Sequence, residues 1–286
     1  MGLNGNGIIT IKNCYNTGNI TGGAPVGGII GHAEDNVTVN NCDNKGDIKG
    51  KGYTGGIVGS IGKSATFDNC DNEGNITGEN YTGGIVGSIG ESSTFDNCDN
   101  EGNITGEDYT GGIIGYIDGE ITITNCYNKK KNIEDMPPIK GVAHAEYNIY
   151  VKGKSFTGGI IGYAKSTATV SNCYNKEEIE SYGDYAGGII GYGAGKVTVS
   201  NCYNKGSLQG EVNKAAGGII GSGDDDDVID AINCYNTGNI TSEGSLAGGI
   251  MGVGGNATNC FNTGTIIGNS SSRRNNGMWK QCNKLL

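Results

Sequence analysis

The chain has 286 residues, with 55 glycines, 3 prolines and only 17% charged residues. Glycine this dense without a Gly-X-Y period excludes collagen, and the regular Ile and Val placement excludes simple disorder. A formal charge of −10 argues against nucleic acid as a partner, and the two basic clusters, Lys129-Lys130-Lys131 and Arg273-Arg274, read as solvated loops. No apolar run approaches the roughly 18 residues of a transmembrane segment, and the first residues show no signal-peptide pattern.

Two motifs recur in phase along the chain. Asn13-Cys14 is followed at intervals of 28 by Asn41-Cys42, Asn69-Cys70, Asn97-Cys98 and Asn125-Cys126. Asn172-Cys173, Asn201-Cys202, Asn233-Cys234 and Asn259-Cys260 then follow at 47, 29, 32 and 26. Each pair is followed by Tyr, Asp or Phe and then Asn. A Gly-Gly-Ile-(Ile/Val/Met)-Gly frame begins at 27, 55, 83, 111, 158, 187, 217 and 248. Residues 53–80 and 81–108 differ only at Lys63/Glu91, Ala65/Ser93 and Asn80/Asp108, the mark of duplication of one structural module.

Within the unit Tyr53 to Asn80, three short strands are predicted in chain order. The first carries Gly56-Ile57-Val58-Gly59, the second Thr66-Phe67 and the third Asn75-Ile76-Thr77. In the unit that carries Cys126, Ile121 and Ile123 alternate with threonine as a half-buried strand should. Cys126 is out of phase with them, so the chain must bend near Asn125 for all three to face inward. Asparagine tolerates the left-handed backbone such a corner needs, and stacked corners would form asparagine ladders. Ile20, Ile48, Ile76, Ile104, Ile179, Leu208, Ile240 and Ile266 recur six residues past the cysteines as a third inward position.

One unit has too few apolar groups for a core, whereas stacked units share one along the axis. The predicted fold is therefore an all-β parallel β-solenoid (β-helix) of about ten coils, on the order of 50 Å long at strand spacing. Propeller blades and helical arrays need longer units. The solenoid domain spans residues 1–268, and residues 269–286, with Trp279, form a divergent C-terminal cap or tail. The 47-residue gap reads as a degenerate coil at about 129–157, because His144-Ala145-Glu146 echoes His32-Ala33-Glu34. That unit would lack its Asn-Cys corner, and Asp135-Met136-Pro137-Pro138 would bulge from the stack.

The phased Gly-Gly-(Ile/Val)-(Ile/Val)-Gly frame resembles the GLUG motif, over about residues 7 to 268. That resemblance implies a bacterial, extracellular, adhesin-like repeat protein, and it supplies no catalytic residues.

The candidate chemistry is sparse. The cysteines allow a reduced, buried thiol stack, inter-coil disulfides or, last, a metal; no Cys-x2–4-Cys pair is present. Cys282 breaks the motif and is expected to be exposed. His32 and His144 are expected on the surface, several coils apart. Asp224-Asp225-Asp226-Asp227 is expected to be a solvated turn, with calcium the alternative. Asp71 and Asp99 are expected to form a surface row, with a glycosidase pair the alternative. Tyr15, Tyr127, Tyr174, Tyr203 and Tyr235 follow the cysteines and should face outward, as a stacked ladder or as a face for glycans or proteins.

The sequence is thus expected to encode a non-enzymatic structural and interaction protein without a cofactor. The expected setting is a bacterial cell-surface or secreted stalk, adhesin region or self-assembling fibre subunit. Its partners would be further copies stacked head to tail, a host or matrix protein, or a glycan. The alternatives are a glycan-binding module, an ice-binding face of Thr-x-Thr pairs such as Thr122 and Thr124, and a β-helix polysaccharide-degrading enzyme.

Overall fold

The computed structural model describes residues 7–129, 150–209, 214–224, 228–242 and 246–268. It is a parallel β-solenoid of about eight turns, roughly 40 Å of axis at parallel-strand spacing. Four sheets run along it, with seven, eight, nine and 16 strands, and every strand pair is parallel.

In the coil that begins at Thr54, the first sheet takes Thr54–Gly55 and the second takes Val58–Ile61. The third takes Ala65–Asn72, bent within its length, and the fourth takes Ile76–Thr77. The chain therefore forms four faces where three strands were expected. The predicted first strand is divided: Gly56-Ile57 is a corner, and the threonine and glycine before it belong to a separate sheet.

The Gly-Gly frame is explained by crowding at this corner. A Cβ on Gly55 would lie 2.1 Å from the carbonyl oxygen of Val58, and one on Gly56 would lie 2.5 Å from Oδ1 of Asn72. Gly56 and Asn72 come from the two different motifs. The motifs keep phase because their residues pack on one another across the coil.

The bend beside the cysteine is at the expected residue. Asn13, Asn41, Asn69, Asn97, Asn125, Asn172, Asn201, Asn233 and Asn259 all have φ between 50° and 54°, the left-handed region that asparagine tolerates better than most residues. The corner turns Cys126 to the same interior as Ile121 and Ile123, and all three are buried.

The register corrects the reading of the 47-residue gap. Tyr127 pairs directly with Tyr174, Ile123 with Val170 and Thr110 with Thr157. Val151 stands between Ile104 and Ile179 in the fourth sheet. The coil carrying Cys126 is thus adjacent to the coil carrying Cys173, which leaves no space for a degenerate coil at 129–157. The extra length enters as an insertion between the Asn128 corner and Tyr150–Gly153. Residues 130–149 lie outside the described residues, as do His144, the Pro137-Pro138 flank and the tail 269–286 with Cys282 and Trp279. The expected count of ten coils was slightly too high, and giving this insertion a turn of its own accounts for one of the extra coils.

The core is also divided. A main cluster runs from Ala33 to Cys260. The isoleucines of the fourth sheet pack separately, Ile48, Ile76, Ile104 and Val151 in one group and Ile179, Leu208 and Ile240 in another. The buried second asparagine of the Asn-Cys-x-Asn frame adds a polar column to this interior. On the first sheet Thr82, Thr110 and Thr157 are buried with hydroxyls that find no hydrogen-bond partner, while Ala186 and Ala216 fill the same row further on.

Candidate functional site

The second asparagines form an unbroken ladder that the sequence reading did not single out. Asn72 donates from Nδ2 to the carbonyl of Gly74 at 2.8 Å and to Oδ1 of Asn100 at 2.7 Å. The same link, 2.7–2.8 Å long, joins each neighbouring pair from Asn16 to Asn262. Both amide hydrogens are satisfied, so a buried polar column costs little. The signal was present, because this asparagine recurs in every Asn-Cys-x-Asn frame. The ladder expected at the corner asparagines is interrupted: Asn69 bonds Asn41 at 2.7 Å, but Asn125 turns to Asp96 at 2.9 Å.

The thiols stack as a buried row from Cys42 to Cys260, all free, and Cys14 in the first described coil is exposed. Each has a structural task. Sγ of Cys126 accepts from the backbone N–H of Cys98 at 3.4 Å, and the pattern repeats from Cys173 to Cys126 and from Cys202 to Cys173. The Cys126 thiol donates back to the carbonyl of Thr124 at 3.2 Å. Burial pushes the thiols of Cys42 and Cys126 up, which keeps them neutral and weakly nucleophilic. At Cys98 and Cys173 burial is opposed by hydrogen bonds from the neighbouring thiols.

The residue after each cysteine forms two kinds of surface. Tyr127, Tyr174, Tyr203, Tyr235 and Phe261 stack at 4.0–5.1 Å between ring centroids, with Lys129, Lys176 and Lys205 over rings of the row. Tyr15, 74% exposed, stands apart from them, because Asp43, Asp71 and Asp99 occupy the coils between. The expected tyrosine face is thus a ladder of four tyrosines and one phenylalanine. Asp71 sits in the middle of the carboxylate row. Its carboxyl is pushed up to about 7 by burial and then by Asp99 and Asp43. Lys129 pairs with Asp99 at 2.5 Å, and burial still holds the Asp99 carboxyl above its usual range.

A larger aromatic surface lies where the first sheet meets the second. One column contains Tyr53, Tyr81, Tyr109, Phe156 and Tyr185, with centroids 4.7–5.7 Å apart and planes within 21°. A second contains Tyr116, Tyr163 and Tyr192, at 5.4–5.5 Å with planes within 4°. Contacts between the columns are mostly edge-to-face, at 5.1–5.4 Å and 71–77°, a favoured geometry for aromatic pairs. These rings are half-buried apart from Tyr53, which is 37% exposed. Burial raises the Tyr81 and Tyr116 hydroxyls, and burial with a hydrogen bond to Asp224 raises that of Tyr192, so all three stay protonated donors.

Polar side chains edge this belt. Lys165 meets Asp118 at 2.6 Å, and Lys214 meets Asp184 at 2.8 Å while lying 5.2 Å over the Tyr185 ring. The belt went unread in the sequence because its columns join residues seven apart, such as Tyr109 and Tyr116, that meet only when the chain turns between sheets. Its signal was the aromatic residue two positions before the Gly-Gly frame.

The remaining candidates are dispersed. His32 is exposed and lies 3.9 Å from Glu34. Of the acidic run only Asp224 lies among the described residues, where it accepts from Tyr192. A single threonine column runs in register from Thr10 through Thr38, Thr66, Thr94, Thr122 and Thr169 to Thr198. The next outward column holds Lys12, Asn40, Asp68 and Asp96 before Thr124, so paired hydroxyl ranks occur only in the later coils.

No family model and no curated protein matches the chain. Among solved structures, a Bacteroides ovatus protein described as a "putative immunoglobulin A1 protease" is similar, with a TM-score of 0.49 and 15% identity. The match covers 84% of this chain and 70% of that one. At that score and identity the likeness carries no function across.

Proposed function

We propose that this chain is a non-catalytic structural and interaction element. In this reading it is a stiff solenoid segment of a bacterial cell-surface or secreted protein, of the kind its GLUG-like repeats imply. The observation that carries the proposal is the unbroken asparagine ladder, which runs the described length of the solenoid together with the thiol row. Coupling of this kind resists bending, which a spacer or display element requires.

The charged side chains support the same reading. Lysines and carboxylates of neighbouring coils pair with each other, as in Lys45–Glu73 at 3.0 Å and Lys152–Glu180 at 3.0 Å. Among the described residues they hold coil to coil and do not converge on a cleft. Small-angle scattering with negative-stain electron microscopy over a concentration series tests the proposal. A rod of constant cross-section, with about 40 Å of solenoid axis, is the expected result. Filaments of the same width at high concentration would make it a fibre subunit, and a flexible or rounded particle would overturn the reading.

A further inference from the structure

The aromatic belt is more than packing. At the second-column position the coils before Tyr116 hold Ser60 and Ser88, and the coil after Tyr192 holds Ser222, all in register. The same wall therefore folds without the rings. In the first column Tyr81 and Tyr109 adopt φ of 52° and 54°. Left-handed backbone is costly for a bulky side chain, and residues held so cluster at binding and switch sites. Rings are thus present where the stack does not need them, and two are kept in place against a backbone penalty.

We propose that the belt binds a linear, neutral polysaccharide lying parallel to the solenoid axis, from Tyr53 to Tyr192. The ring-to-ring step of 4.7–5.7 Å follows the strand spacing, and the two columns side by side present it as a broad surface that a linear ligand of similar repeat can match. One hexopyranose in an extended 1,4-linked chain provides it. An extended peptide advances about 3.3 Å per residue, which falls out of step with the rings. A polyproline helix returns the same side chain after about 9 Å, so it would match only every second ring.

The surface chemistry agrees with this ligand. The rings of each column turn their faces to one another, so a chain along the axis meets ring edges and tyrosine hydroxyls, and the hydroxyl edges of a pyranose suit these and the hydrogen-bonding rim. The rim charges at Lys165–Asp118 and Lys214–Asp184 are already paired, so they offer hydrogen bonds with little net field. The chain's formal charge of −10 disfavours an anionic polymer.

Affinity electrophoresis through gels containing hydroxyethyl cellulose, glucomannan or mixed-linkage β-glucan tests the proposal, with polygalacturonate and a polyproline peptide as competing ligands. At least one neutral polymer should retard the protein, and calorimetry with its oligosaccharides should show affinity rising with length up to about five units. The double variant Tyr116→Ser, Tyr163→Ser copies residues that other coils carry, so it should stay folded, with a melting temperature lowered by the lost ring contacts, and lose at least tenfold in affinity. Tyr203→Ala, on the separate ladder from Tyr127 to Phe261, should bind as the parent does. Failure of every neutral polymer to retard the protein, tighter binding of polygalacturonate or polyproline, or undiminished binding by the serine variant would overturn the proposal. Scattering on the same samples reads the rod separately, so loss of one conclusion leaves the other standing.

Discussion

Asp71 is the residue at which the solenoid works against itself. In-register stacking places like residues in rows, which suits asparagine and tyrosine but sets carboxylates beside carboxylates. Asp43 and Asp99 flank Asp71, and its carboxyl is pushed up to about 7 by burial and by these neighbours, against about 3.9 in an unfolded chain. The folded state therefore holds the proton more tightly. Its contribution to stability is fully present below about pH 4 and is lost as pH rises through about 7. Asp71→Asn should stabilise the protein by about 1 kcal/mol at pH 8, the scale of like charges directly opposed on neighbouring strands, and by little at pH 5. Thermal melts of both proteins at the two pH values check this; a difference that does not change with pH would assign the gain to something other than the carboxylate row.

At the level of the repeated element, the two asparagines of the Asn-Cys-x-Asn frame have separate tasks. Asn97 provides a left-handed corner with φ of 50°, a conformation glycine adopts freely. Asn97→Gly should therefore cost about 1 kcal/mol or less. Asn100 is a fully buried rung, donating to the Gly102 carbonyl and Asn128 and accepting from Asn72. Asn100→Ala leaves buried donors and acceptors on both neighbours unmatched and should cost about 3 kcal/mol. Chemical denaturation of the two variants side by side measures the contrast, and equal costs would mean that the ladder contributes no more than the turn. Cysteine fills a related need, since its sulfur accepts from the backbone N–H of the adjoining coil at the bend.

For the whole molecule, the decisive arrangement is the direct contact between the coils of Cys126 and Cys173. In an ordinary coil three residues, Glu101, Gly102 and Asn103, connect the Asn100 rung to Ile104. Between Asn128 and Val151 the chain takes a much longer route, yet Tyr150 N–H meets Asn103 Oδ1 at 3.1 Å, as the next coil's asparagine would. Replacing residues 130–149 by one glycine restores a three-residue connection and should leave the fold intact, with the melting temperature within a few degrees of the parent. Circular dichroism and scattering check it; an unfolded product would show that the inserted segment is part of the stack.

Much of this was legible in the sequence because a solenoid repeats its chemistry at a fixed period. The 28-residue spacing specified a stack, the alternation of Ile121 and Ile123 specified which side faces in, and the phase break at Cys126 required a bend at Asn125. The last two follow from local strand geometry with a period of two. What depended on distance through space was decided only by the tertiary structure. The adjacency of Cys126 and Cys173 is a matter of register, and an echo such as His144-Ala145-Glu146 cannot establish register by itself. The contact of Gly56 with Asn72 joins two motifs across the coil, and the carboxylate row acquires its raised pKa only when three coils stack. The aromatic belt needs the chain to turn between sheets before Tyr109 and Tyr116 can meet. Sequence by itself determined the repeating unit and its inward face, since these depend on covalent neighbours and side-chain polarity. The order of stacking and the surface it assembles were left to the packing of coils that are neighbours in space and far apart along the chain.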